Sequence, residues 1–475
     1  MTRRLVLTLT PLVALVAAGC TPGPSAPTRR DAGSTPPPRA DAGTAPPPGW
    51  DAGPPPPPVD AGPPRAADSD ADGLPDEDER SRGTDPMDED SDGDGISDGV
   101  EVLAGTDPTD AGSSISPDDF YVVLPYEDPA QTRELEFTAR LGRGDIFFLV
   151  DTTGSMGAAI DNVRSSLSST IVPAVDAAIA DVVMGVGDFR DFPIDPYGSP
   201  GDWAFQVRQT MTTDTSAVQT ALNSLSAGGG NDGPEATVQG LHDAVSGGSC
   251  PDGFGMACFR TGSHPIVVVV TDAEMHNGPS GANPYSGVAG ARTWSEMTAA
   301  LTAQEVKVVG AAVDPISIGL PFPLPNAARP HLEELTRATG SRGADGSLTV
   351  YDAPGGSVDT AVVDGIVDLV GATTQDVTSQ PRDDESDSVD ATRFMQSIRP
   401  VRATRATTFD ETTFYGVAGG TTVTFEVTFQ NDFLPQRAHV QIFQAFIDVV
   451  DTASGTVLDT RNVYVVVPAL GGVLI

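Results

Sequence analysis

A group of carboxylate and hydroxyl side chains directly follows an apolar run in the stretch IFFLVDTTGS, residues 146–155. Asp151 ends the run, and Thr153 and Ser155 follow at alternate positions of a turn that Gly154 allows to be tight. One carboxylate and two hydroxyls at this spacing can face a single cation, and hard oxygens suit Mg²⁺. The pattern therefore predicts a metal site here. The alternative is that these side chains only cap the helix that follows.

A second apolar run, VVVVTD at 267–272, also ends in an aspartate, Asp272. Both runs are apolar throughout, as expected for central strands that are buried on both faces. In an open parallel sheet, ligands bind beyond the carboxyl ends of the strands. We therefore expect Asp151 and Asp272 to lie at the same edge of one sheet.

The Asp-x-Thr-x-Ser pattern and its partner aspartate resemble the metal-ion-dependent adhesion site of von Willebrand factor type A domains, over roughly residues 143–372. That family usually adds a threonine from an intermediate loop. Here the loop GGGNDGPEATVQGL (228–241) instead resembles integrin β A-like domains, in which a Pro-Glu pair supplies a glutamate. The resemblance implies an Mg²⁺ or Mn²⁺ site with the ligands Asp151, Thr153, Ser155, Glu235 and Asp272.

The same resemblance implies a second cation beside the first. The stretch GVGDFRDFP (185–193) is similar to the corresponding integrin β strand and the loop after it. Carried over residue by residue, an adjacent Ca²⁺ site would use Asp191, Asp232, the carbonyl of Pro234, and Glu235.

Two acidic segments nearer the N-terminus repeat one frame with a period of 22 residues: DSDADGLPDEDE (68–79) and DSDGDGISDGVE (90–101). Alternate carboxylates in a tight loop converge on one point, and the glycine at the sixth position permits the turn, which predicts Ca²⁺ binding. A proline-rich segment precedes the first loop, so flanking EF-hand helices are not expected. The segments resemble thrombospondin type 3 repeats, which implies the Ca²⁺ ligands Asp68, Asp70, Asp72, Asp76, Glu79, Asp90, Asp92, Asp94, Asp98 and Glu101.

The N-terminus has the features of an export signal. A short apolar region ends in AAGC, and small residues before Cys20 resemble a bacterial lipobox, which implies a signal peptide at 1–19 and lipidation of Cys20. Residues 20–66 repeat Asp-Ala-Gly between proline runs, a composition typical of an extended spacer. By lipoprotein analogy, we expect a lipid anchor in a bacterial outer membrane, facing either side. In that oxidising compartment, Cys250 and Cys258 are expected to form a disulfide, with two free thiols as the alternative.

The remaining chain predicts two folded domains. Residues 118–375 alternate apolar strands with helical patterns, which indicates a doubly wound, mostly parallel α/β sheet of the von Willebrand factor A type. In residues 385–475, apolar and polar residues alternate in strand patterns, which predicts a C-terminal antiparallel β-sandwich. Residues 67–112 are expected to form the acidic calcium-repeat spacer. The strand patterns at 120–126 and 133–141 belong either to the α/β domain or to the sandwich.

The composition limits the function. The chain has 475 residues and a net charge of −39, which argues against a nucleic-acid partner. The five histidines are far apart in sequence and lie in no catalytic motif, so we interpret them as surface or hydrogen-bonded residues and do not expect an enzyme.

We predict a membrane-anchored, divalent-cation-dependent adhesion module whose metal binds an acidic residue of a partner protein. The loops 250–258 and 276–290 are expected to border the metal face and select the partner. Two alternatives stay open: a structural envelope protein whose cations only rigidify loops, and a hydrolase that uses a metal-bound water.

Overall fold

The computed structural model describes residues 67–314 and 326–470. The predicted signal peptide, the predicted lipidation site Cys20 and the spacer 20–66 lie outside the described residues. Within the described ranges, no helix is both long enough and apolar enough to cross a membrane.

A short helix follows each acidic loop and begins at its ninth position: α1 (Asp76–Arg82) and α2 (Asp98–Ala104). Helices of seven residues gain little stability on their own, so packing must hold them. Val100 of α2 is fully buried in a small apolar cluster with Val440, Tyr464 and Val466. The repeats therefore dock on the C-terminal part of the chain, in addition to any role as a spacer.

The two strand patterns left open by the sequence form β1 (Phe120–Val123) and β2 (Gln131–Thr138). The α/β part follows, with a π-helical stretch at Leu167–Ile171 and short 3₁₀ turns at Pro279–Gly281 and Pro354–Gly356. Its strands are β3 (Leu141–Asp151), β4 (Ile179–Phe189), β5 (Gln206–Thr212), β6 (Gly253–Phe254), β7 (Phe259–Arg260), β8 (His264–Thr271), β9 (Lys307–Val313) and β10 (Val350–Ala353). Its helices are α3 (Gly157–Ser166), α4 (Val172–Ala178), α5 (Thr215–Ser224), α6 (Thr237–Val245), α7 (Trp294–Ala303), α8 (Ala328–Ala338) and α9 (Val358–Ala372).

Among the described residues, six of these strands form one sheet in the order β10-β9-β8-β3-β4-β5. Neighbouring strands are parallel except β5, which runs antiparallel to β4 at the edge. Alternate residues of β3 point to opposite faces, so Phe148 and Val150 join the core under α3, α4, α5 and α9, while Phe147 and Leu149 join the core under α6, α7 and α8. The predicted α/β fold is confirmed, and the run at 146–150 is buried because both faces carry helices.

The C-terminal strands are β11 (Thr374–Asp383), β12 (Met395–Ala403), β13 (Thr408–Phe409), β14 (Thr413–Ala418), β15 (Thr422–Phe429), β16 (Gln441–Asp451) and β17 (Val457–Val467), with a 3₁₀ turn at Ala391–Phe394. Together with β1 and β2, these strands form two sheets around a core rich in phenylalanine. The strand orders are β1-β17-β16-β11-β14-β13 and β12-β15-β2. β1 pairs in parallel with β17, and β2 pairs antiparallel with β15. The α/β part is thus inserted between strands of the sandwich.

One strand lies where the sequence predicted a boundary. β11 joins the sandwich sheet from Thr374, which is earlier than the predicted start at residue 385. The sequence pattern does not reveal this strand because Val377, which is fully buried, is its only aliphatic residue. Thr, Gln, Asp and Ser occupy most of its other positions. Too few apolar residues alternate to mark this strand in the sequence.

Candidate metal centre

Asp151 closes the central strand β3 and is completely buried. Its Oδ1 accepts hydrogen bonds from the Thr153 amide at 2.9 Å and the Thr153 hydroxyl at 2.7 Å, and its Oδ2 accepts one from Thr271 Oγ1 at 2.7 Å. Burial raises the pKa of Asp151 to about 6, although these hydrogen bonds oppose the shift. The carboxylate is therefore held in one orientation, and Thr271 is a contact that the motif did not predict.

The register of the sheet brings Asp272 to the same edge. Val150 of β3 pairs with Val270 of β8, so the residues that follow each strand lie side by side. Ser155 Oγ donates a hydrogen bond to Asp272 Oδ1 at 3.0 Å. Burial also raises the pKa of Asp272.

Backbone pairing brings the third loop to this edge. The Glu235 amide donates to the carbonyl of Glu274 at 2.9 Å, and the His276 amide donates to the carbonyl of Glu235 at 2.9 Å. The Glu235 segment thus runs as a short parallel bridge beside the loop after β8. Gly230 has φ +73°, and a Cβ there would lie 2.9 Å from Glu235 Oε1, so any other residue would strain the backbone and crowd the carboxylate.

Glu235 is 4% exposed, and its Oε2 is buried without a hydrogen-bond partner among the described residues. Burial raises the pKa of Glu235 to about 11, and four nearby aspartates raise it as well: Asp151, Asp191, Asp232 and Asp272. A buried carboxylate among like charges must be either protonated or paired with a cation. Carboxylates and hydroxyls are the oxygen donors that Mg²⁺ or Mn²⁺ prefers, so the residues present fit such an ion.

These side chains line an open cleft of about 450 Å³ at the carboxyl edge of the sheet. Thr153, Ser155, Glu235 and Asp272 all contribute to its walls, together with Pro234 of the intermediate loop. Asp151 lies beneath them with no exposed surface. Buried carboxyl groups thus form the base of a cleft that is accessible to solvent.

The other two aspartates predicted for an adjacent site also come together. Asp191 is completely buried, and its Oδ2 lies 3.3 Å from His276 Nε2. Asp232 Oδ2 lies 3.1 Å from the same nitrogen. The three residues present ligand atoms within 4.8 Å of one another. Sequence reasoning missed His276, for which the only signal is its position four residues after Asp272.

The acidic repeats form two similar loops. The carboxylates at the first, third and fifth positions have oxygens within 4.8 Å of one another in each loop: Asp68, Asp70 and Asp72, and Asp90, Asp92 and Asp94. Within residues 67–314 and 326–470, Oδ2 of Asp70, Asp92 and Asp94 is buried without a hydrogen-bond partner. Converging oxygens with unused lone pairs fit a hard cation such as Ca²⁺.

The remaining predicted residues of the repeats divide into two kinds. Glu79 and Glu101 are fully buried, both oxygens of Glu79 and Oε2 of Glu101 have no hydrogen-bond partner, and burial raises the pKa of each to about 7. Asp98 instead accepts hydrogen bonds from the Ser91 amide at 2.9 Å and the Ser91 hydroxyl at 2.7 Å. Asp76 makes the corresponding pair with Ser69. The glutamates thus retain free acceptor oxygens, whereas the two ninth-position aspartates stabilise their loops by hydrogen bonds to a serine at the second position.

Cys250 and Cys258 form the expected disulfide. Their loop does not border the metal face, contrary to our expectation. The Ala257 amide donates to the carbonyl of Ala244 near the C-terminal end of α6, whereas Glu235 lies just before the N-terminal end of that helix. The loop after β8 does border the site, because it carries His276.

Family models match two parts of the chain. The model described as bacterial TSP3 repeat matches residues 68–89 and 90–111, and the model described as von Willebrand factor A domain matches residues 145–254. These ranges contain the acidic loops, the Asp151 motif and the Glu235 loop. Among curated proteins, no sequence matches this chain.

Similar solved structures are distant. A von Willebrand factor type A protein from Catenulispora acidiphila is 10% identical with a TM-score of 0.31, covering 72% of this chain and 71% of the other. The pilus adhesin SpaC from Lactobacillus rhamnosus GG, in its open conformation, is 10% identical with a TM-score of 0.34, covering 72% of this chain and 46% of the adhesin. This chain thus spans about half the length of that adhesin, and the family assignment depends on the sequence models alone. The chain contains two bacterial TSP3 repeats followed by a von Willebrand factor A domain.

Proposed function

We propose that this chain is a divalent-cation-dependent protein-binding module held at a bacterial outer membrane by a lipid on Cys20. The observation that carries the proposal is the buried Glu235 carboxylate, which lies among four aspartates beneath an open cleft. Its Oε2 has no hydrogen-bond partner in the part of the chain that the structure describes. A site that concentrates negative charge in this way is suited to a cation and not to an anionic ligand.

The proposed Mg²⁺ or Mn²⁺ ligands are Asp151, Thr153, Ser155, Glu235 and Asp272. When bound, the cation supplies a Lewis-acidic position at which an acidic side chain of a partner protein can be held. The chain's own contribution is to hold its oxygens in place before the partner arrives. Thr271 orients Asp151, and the close approach of Gly230 confines Glu235.

The other proposed cation sites are supporting ones. Asp191, Asp232, the carbonyl of Pro234 and Glu235 would hold a second cation beside the first, for which the integrin β resemblance implies Ca²⁺. The repeats would bind Ca²⁺ through their aspartate triads together with Glu79 and Glu101. These cations would offset charge repulsion that otherwise opposes the folded loops.

The test is capture of partners from envelope extract by the full-length protein in Mg²⁺ and in EDTA. Asp151→Ala and Glu235→Gln should abolish Mg²⁺-dependent capture, because each removes a charged ligand. Asp161→Asn is the matched control, since Asp161 is an exposed acid on α3. A Cys20→Ser variant should leave the outer-membrane fraction if Cys20 carries the anchor.

Two results would count against the proposal. Capture that is the same for Glu235→Gln, Asp151→Ala and the wild type would exclude the metal mechanism. A sharp loss of thermal stability in EDTA, with no protein captured under either condition, would favour the structural alternative in which cations only rigidify the loops.

A further inference from the structure

His276 lies between the two aspartates of the adjacent site in an arrangement that a neutral imidazole cannot satisfy by hydrogen bonding while both carboxylates are ionised. Its Nδ1 lies 2.8 Å from the carbonyl oxygen of Asn283, which only accepts hydrogen bonds, so Nδ1 carries a proton. Its Nε2 faces carboxylate oxygens of Asp232 at 3.1 Å and of Asp191 at 3.3 Å, which are acceptors when ionised. In the neutral ring, the lone pair on Nε2 would therefore point at two negatively charged groups.

Three arrangements resolve this conflict. The ring is doubly protonated, one carboxyl group is protonated and donates to Nε2, or a cation lies between Nε2 and the two carboxylates. An Nδ1–H that donates to a backbone carbonyl is the usual second-shell contact of a metal-bound histidine, because it fixes the tautomer that leaves Nε2 free as a ligand.

Asp191 supplies independent evidence for a cation. The residue has no exposed surface, and its Oδ1 accepts hydrogen bonds from the hydroxyl of Tyr285 and the amide of Phe192. Its Oδ2 lies 3.3 Å from His276 Nε2 and makes no hydrogen bond to any residue that the structure describes. A fully buried carboxylate oxygen without a hydrogen bond needs a positively charged neighbour, which is either the protonated ring or a cation beside Nε2.

Aromatic rings hold the imidazole in this position. The ring of Tyr285 stacks on His276 with centroids 4.2 Å apart and an interplanar angle of 24°. The ring of Tyr197 meets it edge-on, with centroids 5.1 Å apart and an angle of 86°. Tyr285 therefore fixes both His276, by stacking, and Asp191, by its hydroxyl. Two of the three ligands are thus preorganised.

We infer that Asp191, Asp232 and His276 form a binding site for a transition-metal cation of the Zn²⁺ class, at the position where the integrin β resemblance implies Ca²⁺. Imidazole nitrogen is a common ligand of Zn²⁺, Co²⁺ and Ni²⁺, whereas Ca²⁺ takes oxygen ligands. The 3.1 and 3.3 Å separations of Nε2 from the carboxylates are close to the edge of about 3.4 Å expected for a tetrahedron with bonds of about 2.1 Å. The inference builds on the proposed cation-binding face but not on partner capture.

Co²⁺ is the probe, because its visible absorption reports nitrogen ligation and low coordination number. Untagged full-length protein is stripped with chelator and titrated with Co²⁺, and then with Zn²⁺, in an excess of Ca²⁺ and Mg²⁺ that saturates the oxygen sites. We expect one equivalent of Co²⁺ to give a visible spectrum and Zn²⁺ to displace it. His276→Gln should lower the affinity at least about 100-fold, since loss of second-shell contacts alone can cost that much.

His242→Gln is the matched control, because His242 also lies beside an aspartate, Asp243, at 2.8 Å, but belongs to no group of three metal-ligating residues among those that the structure describes. It should keep the Co²⁺ spectrum. Retention of the Co²⁺ spectrum by His276→Gln, or the lack of any spectrum in the wild type, would overturn the inference. Nitrogen-15 NMR of wild-type His276 provides a readout that does not depend on a variant's folding. A ring that stays doubly protonated with Zn²⁺ present would also overturn it.

Partner capture in Mg²⁺ is measured on the same samples. A wild type that gives no Co²⁺ signal but still captures partners in Mg²⁺ would reject the transition-metal site alone. An intact Co²⁺ signal with no Mg²⁺-dependent capture would reject the proposed function alone.

Discussion

Glu235 is the side chain in which burial and charge conflict most strongly. It has 4% of its surface exposed, four aspartates act on it, and its pKa rises to about 11. At neutral pH and without a cation, the carboxyl group is therefore protonated and resembles a glutamine in charge and shape. With a cation, the group must ionise to act as a ligand. A metal ion that binds at this residue as proposed would therefore displace a proton.

This exchange predicts an asymmetric effect of Glu235→Gln. In EDTA at pH 7, the variant should melt within about 2 °C of the wild type, because little charge is removed. Saturating Mg²⁺ should stabilise the wild type by about 2.7 kcal/mol at a concentration 100-fold above its Kd, and the variant by much less. Differential scanning calorimetry with and without Mg²⁺ measures both effects, with Asp161→Asn as control. An equal Mg²⁺ response in both proteins would show that Glu235 is not a ligand.

At the scale of elements, the parts of the fold that could be predicted from the sequence are those where strand pattern and sheet topology agree. The strands that end at Asp151 and Thr271 are continuous apolar runs, and their carboxyl ends meet at one edge because the sheet is parallel there. The positions of Asp151, Ser155 and Asp272 follow from that topology. The position of Glu235 could be predicted only from the family resemblance. Its loop is held at the site by backbone hydrogen bonds to Glu274 and His276, and hydrophobic periodicity in the sequence does not indicate such bonds.

Other contacts of the site could not be predicted because they come from side chains far apart in sequence. Asp191 and Tyr285 meet across 94 residues, and nothing in either local sequence indicates the pairing. His276 carries no motif, and its role depends on the loops that surround it. The strand from Thr374 escaped prediction because it has too few apolar residues to show alternation.

The docking of the repeats on the sandwich is another feature that local pattern does not show. Asp72 Oδ2 accepts a hydrogen bond from the Gly99 amide at 2.7 Å, which ties the first loop to the second repeat. Val100, the next residue, is fully buried in a cluster with residues of the sandwich. The first loop, the second helix and the sandwich are therefore mechanically connected through two adjacent residues.

Val100→Ala should lower the free energy of unfolding by about 2 kcal/mol, because it leaves a cavity between α2 and the sandwich. Leu103→Ala on the same helix is the matched control, since Leu103 is 43% exposed and its loss should cost less than about 0.5 kcal/mol. Urea unfolding in saturating Ca²⁺ measures both. If the two variants lose the same stability, the repeats do not pack on the sandwich in solution.

At the scale of the whole molecule, some carboxyl groups are concentrated at a few buried points, in addition to those spread over the surface. The chain carries a net charge of −39, and several of its carboxylates are buried with unpaired oxygens in the two repeat loops and at the edge of the α/β sheet. Burial raises the pKa of Asp72, Glu79 and Glu101 to about 7 and that of Asp151 to about 6. The pH dependence of stability should therefore differ with and without cations.

Without cations, the folded chain binds more protons than the unfolded chain between pH 4, near the ordinary carboxyl pKa, and pH 7. Stability should then fall as the pH rises through this window, because the protons that the folded state prefers are lost. With saturating Ca²⁺ and Mg²⁺, the ions replace those protons, and the fall should disappear or reverse, since cation affinity rises as the ligands deprotonate. Urea midpoints from pH 4.5 to 8, in EDTA and in excess cations, measure both curves. Two parallel curves would mean that the buried carboxylates do not bind cations, and the proposed sites in the repeats and at the sheet edge would have to be abandoned together.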